Sequence, residues 1–388
     1  MIAEPDLATG TVQATDGVIA AINLRSTLAQ SWNRFWQAPL RPGIAECVIE
    51  QEQLNAQFLG DLDAYDRLEK LAGHLLRLDP DSARSALIDG QVAASTHRFA
   101  DARECLSWAT DRGCPTVAAE RLAMSIDQAR GVSLEALLGR RLRLVRQSGR
   151  LEDWVPLGSL LVDLGDFDEA ERTYCRALGA YRDVSPFAVA WVCFLLGVMW
   201  GERVPEPQPG RAARWYAKAI DYLPGYVKAR VHLAEIRLAE GRAAQAHALL
   251  IPALASGDPE VSWRLSDVTL ALGRHAEAQV LWEAARSGFE RLLGKHQLAF
   301  ADHAAEFYAG SGNDARRAFE LTAIDLANRP TLRAFEKAHA AAIQAGEALA
   351  AADVLTAARE RWGSTPAFTQ SPLAAASLHL HPETDHAD

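Results

Sequence analysis

Small and large apolar residues alternate along this chain at helical spacing. A small residue, a large one four positions on and a small one three beyond it recur as Ala102-Leu106-Ala109, Ala170-Tyr174-Ala177, Ala212-Tyr216-Ala219, Ala246-Leu250-Ala253, Ala278-Trp282-Ala285 and Ala351-Leu355-Ala358. Offsets of four and three place each trio on one face of an α-helix. Ala136 marks a weaker copy. The intervals 102–136, 136–170 and 212–246 are each 34 residues, and 246–278 is 32. Gly165, Gly241, Gly273 and Gly346 stand five residues before four of these alanines. Each follows an apolar-periodic run and precedes a polar turn, so each predicts a helix end, a tight turn and a new helix start.

Prolines repeat the period independently. Pro80, Pro115, Pro186, Pro224, Pro259, Pro330 and Pro366 are separated by 35, 71, 38, 35, 71 and 36 residues, one or two units each time. Each unit then holds two helices of about 14 residues, as in "DWVPLGSLLVDLG" followed by "FDEAERTYCRALGAY". A single pair cannot bury its apolar face, so the units must stack.

Trp154, Leu157, Gly158, Gly165, Ala170, Tyr174 and Ala177 together resemble the signature of the tetratricopeptide repeat (TPR) family. Leu161 departs from it where an aromatic is usual, and the closing proline is delayed to Pro186. Leu233, Ala234, Gly241, Ala246 and Ala253 resemble it too, as do Leu265, Gly273, Ala278, Trp282 and Ala285. The resemblance spans roughly 50–364. It is strong over 81–115 and 151–285, moderate over 331–364, and weak over 50–80, 116–150 and 298–330. It implies an all-α, right-handed superhelical solenoid of about nine TPR-like helix pairs. Residues 1–49 are expected to form an N-terminal helical cap, 50–364 the solenoid, and 365–388 a disordered His-rich tail.

Three stretches interrupt the regularity. "GERVPEPQPG" (201–210) lengthens one step to 42 residues, and its three prolines predict a stiff exposed loop, either a tolerated insertion or a partner contact. Residues 285–303 read as lengthened helices. Trp32, Phe35 and Trp36 sit at helical spacing near the N-terminus, where they either cover the apolar end of the first unit or form an oligomerisation patch.

Composition supports the helical reading, with 49% hydrophobic residues and almost no β-branched runs. A formal net charge of −10 argues against a general nucleic-acid binder. Five cysteines, an odd number with no Cys-x-x-Cys, argue against a disulfide framework or a zinc knuckle. The N-terminus is acidic where a signal peptide is basic, and the run Gly17–Ile22 is too short for export or spanning. The expectation is a soluble, cytoplasmic chain that does not enter membranes.

No catalytic constellation stands out. There is no Gly-rich phosphate loop after a strand, no His-Glu-x-x-His and no Gly-x-Ser-x-Gly. The chain reads as a non-enzyme without a cofactor. His379, His381 and His386 crowd the tail beside Glu383, Asp385 and Asp388; they form a solvated terminus or a weak zinc, nickel or copper site. Arg140, Arg141, Arg143, Arg146 and Arg150 form either a solvated helix face or a dock for an acidic partner, and no aromatic residues interleave with them.

The resemblance also implies where a partner sits, since first helices of TPR units line a concave groove. The positions carried over are Glu152, Val155, Ser159 and Asp163; Val192, Leu196, Met199 and Trp200; Lys228, Val231, Glu235 and Leu238; Glu260, Trp263, Asp267 and Leu270; and, more loosely, Phe307. Apolar residues with acids at intervals suit a basic, apolar protein or peptide segment. The paired Lys, Arg and Asn that grip a C-terminal carboxylate in some TPR domains are missing from these faces. The expected function is a non-catalytic scaffold binding a protein or peptide in its groove; the alternative is an obligate accessory subunit of an enzyme or metal-maturation system. The sequence leaves partner and oligomeric state open.

Overall fold

The computed structural model describes residues 12–114 and 116–380, excepting the side chains of 116 and 378–380. These residues form twenty α-helices and no strand. The first five are α1 (Gly17–Gln37), α2 (Ile44–Leu59), α3 (Ala64–Leu78), α4 (Ala83–Ser95) and α5 (Phe99–Asp111). Next come α6 (Thr116–Ala129), α7 (Leu134–Ser148), α8 (Leu151–Asp163), α9 (Phe167–Ala180) and α10 (Pro186–Val198). They are followed by α11 (Pro209–Tyr222), α12 (Val227–Ala239), α13 (Ala243–Leu250), α14 (Pro259–Ala271) and α15 (His275–Ala309). The last are α16 (Ala315–Asn328), α17 (Leu332–Gln344), α18 (Ala348–Trp362), α19 (Pro366–Thr369) and α20 (Pro372–Leu380). A π-helical turn, Met199–Arg203, prolongs α10, and a 3₁₀ turn, Ile251–Ser256, follows α13. Helices adjacent in sequence pack in pairs, among them α4 with α5, α10 with α11, α12 with α13 and α17 with α18. The fold is an all-α helical repeat.

The glycine ladder is the turn chemistry of these pairs. Gly165, Gly241, Gly273 and Gly346 have φ of 82°, 75°, 77° and 75°. After each one the next amide donates back five residues: Asp166 to Leu161, Arg242 to Arg237, Arg274 to Thr269 and Glu347 to Ala342. This left-handed closure satisfies carbonyls that the helix end would otherwise leave open. At Gly241 an added Cβ meets nothing within 4 Å, so only backbone conformation resists substitution. Gly241→Ala is therefore expected to lower stability by about 1–2 kcal/mol, read by urea denaturation; an unchanged midpoint would remove this account of the period.

Prolines act at helix starts. Pro186, Pro259 and Pro366 occupy first-turn positions, where the missing N–H costs nothing. Asp258 and Thr365 accept the first amides beside two of them. The segment expected to be a disordered tail from 365 is helical as far as Leu380, with Phe368 and Leu373 buried. Residues 381–388 lie outside the described residues.

Contacts group the chain into two compact units, each assembled from separated stretches. One comprises 1–68, 138–162 and 166–274; the other 69–137, 163–165 and 275–388. In the first, Leu24, Phe58 and Leu59 from α1 and α2 join the core of α8–α12. In the second, the lengthened helix expected near 285–303 is α15, 35 residues long and broken at His296 (φ −134°, ψ 55°). Beside that break His97 Nδ1 lies 3.3 Å from the Leu298 carbonyl, and Asn328 Nδ2 donates to the His97 carbonyl at 2.9 Å. Arg361 likewise donates to the Arg130 carbonyl at 3.0 Å.

Candidate partner-binding surface

Two glycine–tyrosine contacts set the register of the first helices. A Cβ on Gly158 would lie 2.6 Å from the Tyr174 ring, and one on Gly197 would lie 2.5 Å from the Tyr216 ring. Gly197 is thus the counterpart of Gly158. Counting from it, the counterparts of Glu152, Val155, Ser159 and Asp163 on the α10 segment are Trp191, Phe194, Val198 and Glu202. The sequence-based positions Val192, Leu196, Met199 and Trp200 are each out of register and buried, at 0%, 0%, 1% and 6% exposure. The π turn and the proline loop remove the fixed spacing to Ala212, which hides the register. The Gly197–Tyr216 pair was the signal that could have revealed it.

Several other expected groove residues are committed to internal packing. Trp263 and Val231 are core residues, and Trp200 donates from Nε1 to Glu171 at 3.2 Å beneath the Arg211 guanidinium. Phe307 is fully buried in the second unit against Phe289 and Tyr308. Ser159 Oγ pairs with the Tyr174 hydroxyl at 3.0 Å, and Asp163 accepts from Gln128 at 2.8 Å. Glu152 is exposed and pairs with Arg150 at 3.1 Å. Lys228 is bonded to Glu260 and lies 3.6 Å from Asp258. Burial alone would lower its pKa, but these two carboxylates hold it well above the usual lysine range. Leu196, Met199, Trp200, Trp263 and Phe307 are therefore corrected from contact residues to core residues.

The chain itself covers part of this surface. Phe58, at the end of α2, stands among Phe187, Trp191 and Tyr226 with ring centroids 5.2, 6.3 and 4.7 Å away. Gly60, at φ 72°, brings the backbone against Ser256 and Val227, where a Cβ would have only 2.9–3.0 Å. Beyond Phe58, the α2–α3 connection thus passes the N-terminal ends of α12 and α14.

What stays accessible is a hollow of about 260 Å3 between α12 and α14. Ala234, Glu235, Leu238, Ala239, Arg264, Asp267 and Val268 line it. Leu270, one turn from Asp267, is 52% exposed. Glu235 bonds Arg264, whose guanidinium lies 3.5 Å above the Trp263 ring. On the other side Glu235 Oε2 is 3.4 Å from His232 Nδ1, and Glu202 Oε1 of the π turn is 3.0 Å from the same nitrogen. The Tyr216 hydroxyl donates to Glu202 at 3.3 Å. Burial would depress the His232 pKa, yet the two carboxylates raise it to about 10, so the imidazolium clamps the insertion to α12.

The Cys193 thiol is pushed up to about 12, first by burial. In the second unit burial, followed by Asp89, pushes Cys105 to about 12. No three His, Cys, Asp or Glu side chains gather in metal-holding geometry among the described residues. The His379 side chain, His381 and His386 lie outside them. Within the arginine-rich segment Arg141 is buried, while Arg143, Arg146 and Arg150 are exposed. One helical stretch, 186–203, is long and apolar enough to cross a membrane by length and composition; 61% of it is buried.

No protein-family model matches the sequence, and no curated protein matches it. Solved structures of TPR proteins are similar to the chain. One from Parabacteroides merdae has 12% identity and a TM-score of 0.36, over 63% of this chain and 92% of that one. Yeast Tom70 has 12% identity and a TM-score of 0.35, over 89% and 85%. Pseudomonas aeruginosa pilF has 16% identity and a TM-score of 0.30, over 57% and 95%.

Proposed function

We propose that the chain is a non-catalytic scaffold that holds a basic, apolar segment of a partner protein against α12 and α14. One observation carries this reading: Glu235, Leu238 and Asp267 line an accessible hollow, with Leu270 exposed one turn beyond Asp267, while the neighbouring first-helix residues are drawn into the core. Its rim joins carboxylates to leucines, which complements a lysine or arginine flanked by apolar side chains. Glu235 also holds His232 and Arg264, so altering it disturbs the fold. Asp267 and Leu270 are the informative positions. Proteins retained by the immobilised chain are identified by mass spectrometry, and capture is repeated with Asp267→Lys and Leu270→Asp. Each variant is expected to weaken retention of the specific partner at least tenfold while melting as the wild type does. Unchanged retention in both would overturn the assignment.

A second function reading, the accessory-subunit one, draws on the His379, His381 and His386 cluster. Metal content of the full chain against a variant with His379, His381 and His386 changed to Ala tests the tail's part in it, and equal content would remove that argument.

A further inference from the structure

In the first unit, the end of α9, the first turns of α10 and the last turns of α11 surround a second hollow, of about 470 Å3. That volume lies within the roughly 300–1,000 Å3 of small-molecule sites. None of its residues lines the hollow between α12 and α14. Val12 and Gln13 close one side of it, and two contacts fix that segment. The Thr15 amide donates to the Val184 carbonyl at 2.7 Å. Gly17 lies so close to the end of α11 that a Cβ there would stand 2.2 Å from the Tyr222 carbonyl oxygen, an approach only glycine permits. The fold itself therefore holds the walls of this hollow.

Its cations are unpaired. Lys228, Arg211 and Arg264 of the same unit each meet a carboxylate. Lys218, which lines the hollow and is half-buried, has the Trp215 ring at 5.6 Å but no carboxylate within ion-pairing distance among the described residues. Arg182, at the rim, donates from Nη1 to the carbonyls of Gly179 and Tyr181 at 2.7 and 2.8 Å, which leaves Nε and Nη2 unbonded. Asp183 also lines the hollow, and its carboxylate accepts from the Val184 amide at 2.7 Å instead of pairing with either cation. Two cations and one carboxylate leave one net positive charge, in a chain with 50 acidic and 40 basic residues. The Tyr222 hydroxyl on the same wall is shut off from solvent and lacks a hydrogen bond of normal geometry, although the Val12 backbone is near. A buried polar group without a partner is rare, and an incoming acceptor accounts for it.

The remaining surface is apolar. Leu178, Val184 and Val189 supply aliphatic side chains. The Cys193 thiol also lines the hollow; burial keeps it protonated at neutral pH, so it behaves as a small apolar group. We propose that this hollow binds a small monocarboxylate with an aliphatic body, its carboxylate set between Lys218 and Arg182 and its chain against Leu178, Val184 and Val189. One net positive charge matches one negative charge. A dianion such as a phosphate monoester would place its second charge near Asp183 with nothing to offset it. Affinity then has two sources, charge-assisted hydrogen bonds at the head and apolar burial along the chain.

Ligand-detected NMR titration of the full chain with butyrate, hexanoate and octanoate tests the proposal. Octanoate is expected to bind, and each added CH2 to raise affinity about two- to fourfold. 1-Octanol, which has the chain without the charge, is expected to bind at least tenfold more weakly, and hexyl phosphate more weakly than hexanoate. Lys218→Met keeps the apolar stem and removes the charge; it is expected to weaken octanoate at least tenfold. Gly179 lines the hollow from a helical position where a Cβ meets nothing within 4 Å, so Gly179→Trp is expected to fill the space and abolish binding. Arg143→Met, at an exposed arginine outside the hollow, is expected to leave affinity unchanged. Thermal melts confirm that the variants fold. No octanoate binding by wild type up to about 10 mM, an affinity indifferent to chain length, octanol or hexyl phosphate binding as well as the matching acid, or full affinity in Lys218→Met or Gly179→Trp would overturn the proposal.

Discussion

Phe58→Ala is expected to lower the stability of the first unit by about 3–5 kcal/mol. Phe58 is 2% exposed and touches three other rings, two from α10 and one from the start of α12. Truncation loses the transfer free energy of the ring and leaves a cavity whose walls come from separate helices. Those walls are held by contacts of their own: Trp191 and Tyr226 both lie against Phe194, at 5.8 and 5.2 Å. They have little freedom to collapse. Urea denaturation followed by tryptophan fluorescence reads the loss, since Trp191 adjoins the site. Phe58→Leu fills most of the volume and is expected to cost about a third as much. A loss under 1 kcal/mol for the alanine variant would mean that α2 is not part of this core.

Acid is expected to destabilise the second unit by up to about 3 kcal/mol between pH 6.5 and 4, and His97 is the cause. Burial first, then the Arg329 cation, lowers its pKa from 6.5 to about 4, against the raising effect of Asp302 and the Leu298 carbonyl. Its folded-state value is below its unfolded one. Between the two the unfolded chain takes up a proton that the folded chain refuses, so stability is present above pH 6.5 and lost as the pH falls toward 4. Asp302, held well below its usual range, loses its contribution in the same direction at lower pH. Thermal melts at pH 7, 5.5 and 4.5 measure the slope. His97 has φ 57°, so Asn, which tolerates left-handed backbone, is the substitution of choice. His97→Asn is expected to flatten the profile; an equally steep one would move the cause elsewhere. His232 acts oppositely in the first unit. Its folded value of about 10 exceeds 6.5, so its contribution is complete below pH 6.5 and lost as the pH rises toward 10.

Local geometry was legible in the sequence. Four glycines at one offset from four alanines are four left-handed helix ends with the same five-residue closure. The pairing of Gly158 with Tyr174 was present in the repeat signature, and Glu235 and Asp267 keep the register of Ser159 because the spacing from Ala246 and Ala278 is unbroken. The α10 register was lost where the insertion intervened. Trp191, Phe194 and Glu202 went unnoticed for that reason, although Gly197 carried the missing mark; His232 lies on α12, off the face assigned to the groove.

Helices, turns and the repeating pair were thus determined by the sequence alone, since each depends on residues within one or two turns of one another. Tertiary structure alone decided which apolar faces are filled. Phe58 reaches Tyr226, His97 reaches Leu298 and Arg361 reaches Arg130 across 168, 201 and 231 residues, distances at which no periodicity survives. Burial depends on what arrives from elsewhere in the chain. Trp263 looked like an anchor and became core, while among Trp32, Phe35 and Trp36, read together from their spacing, Phe35 is buried and Trp36 stays 55% exposed.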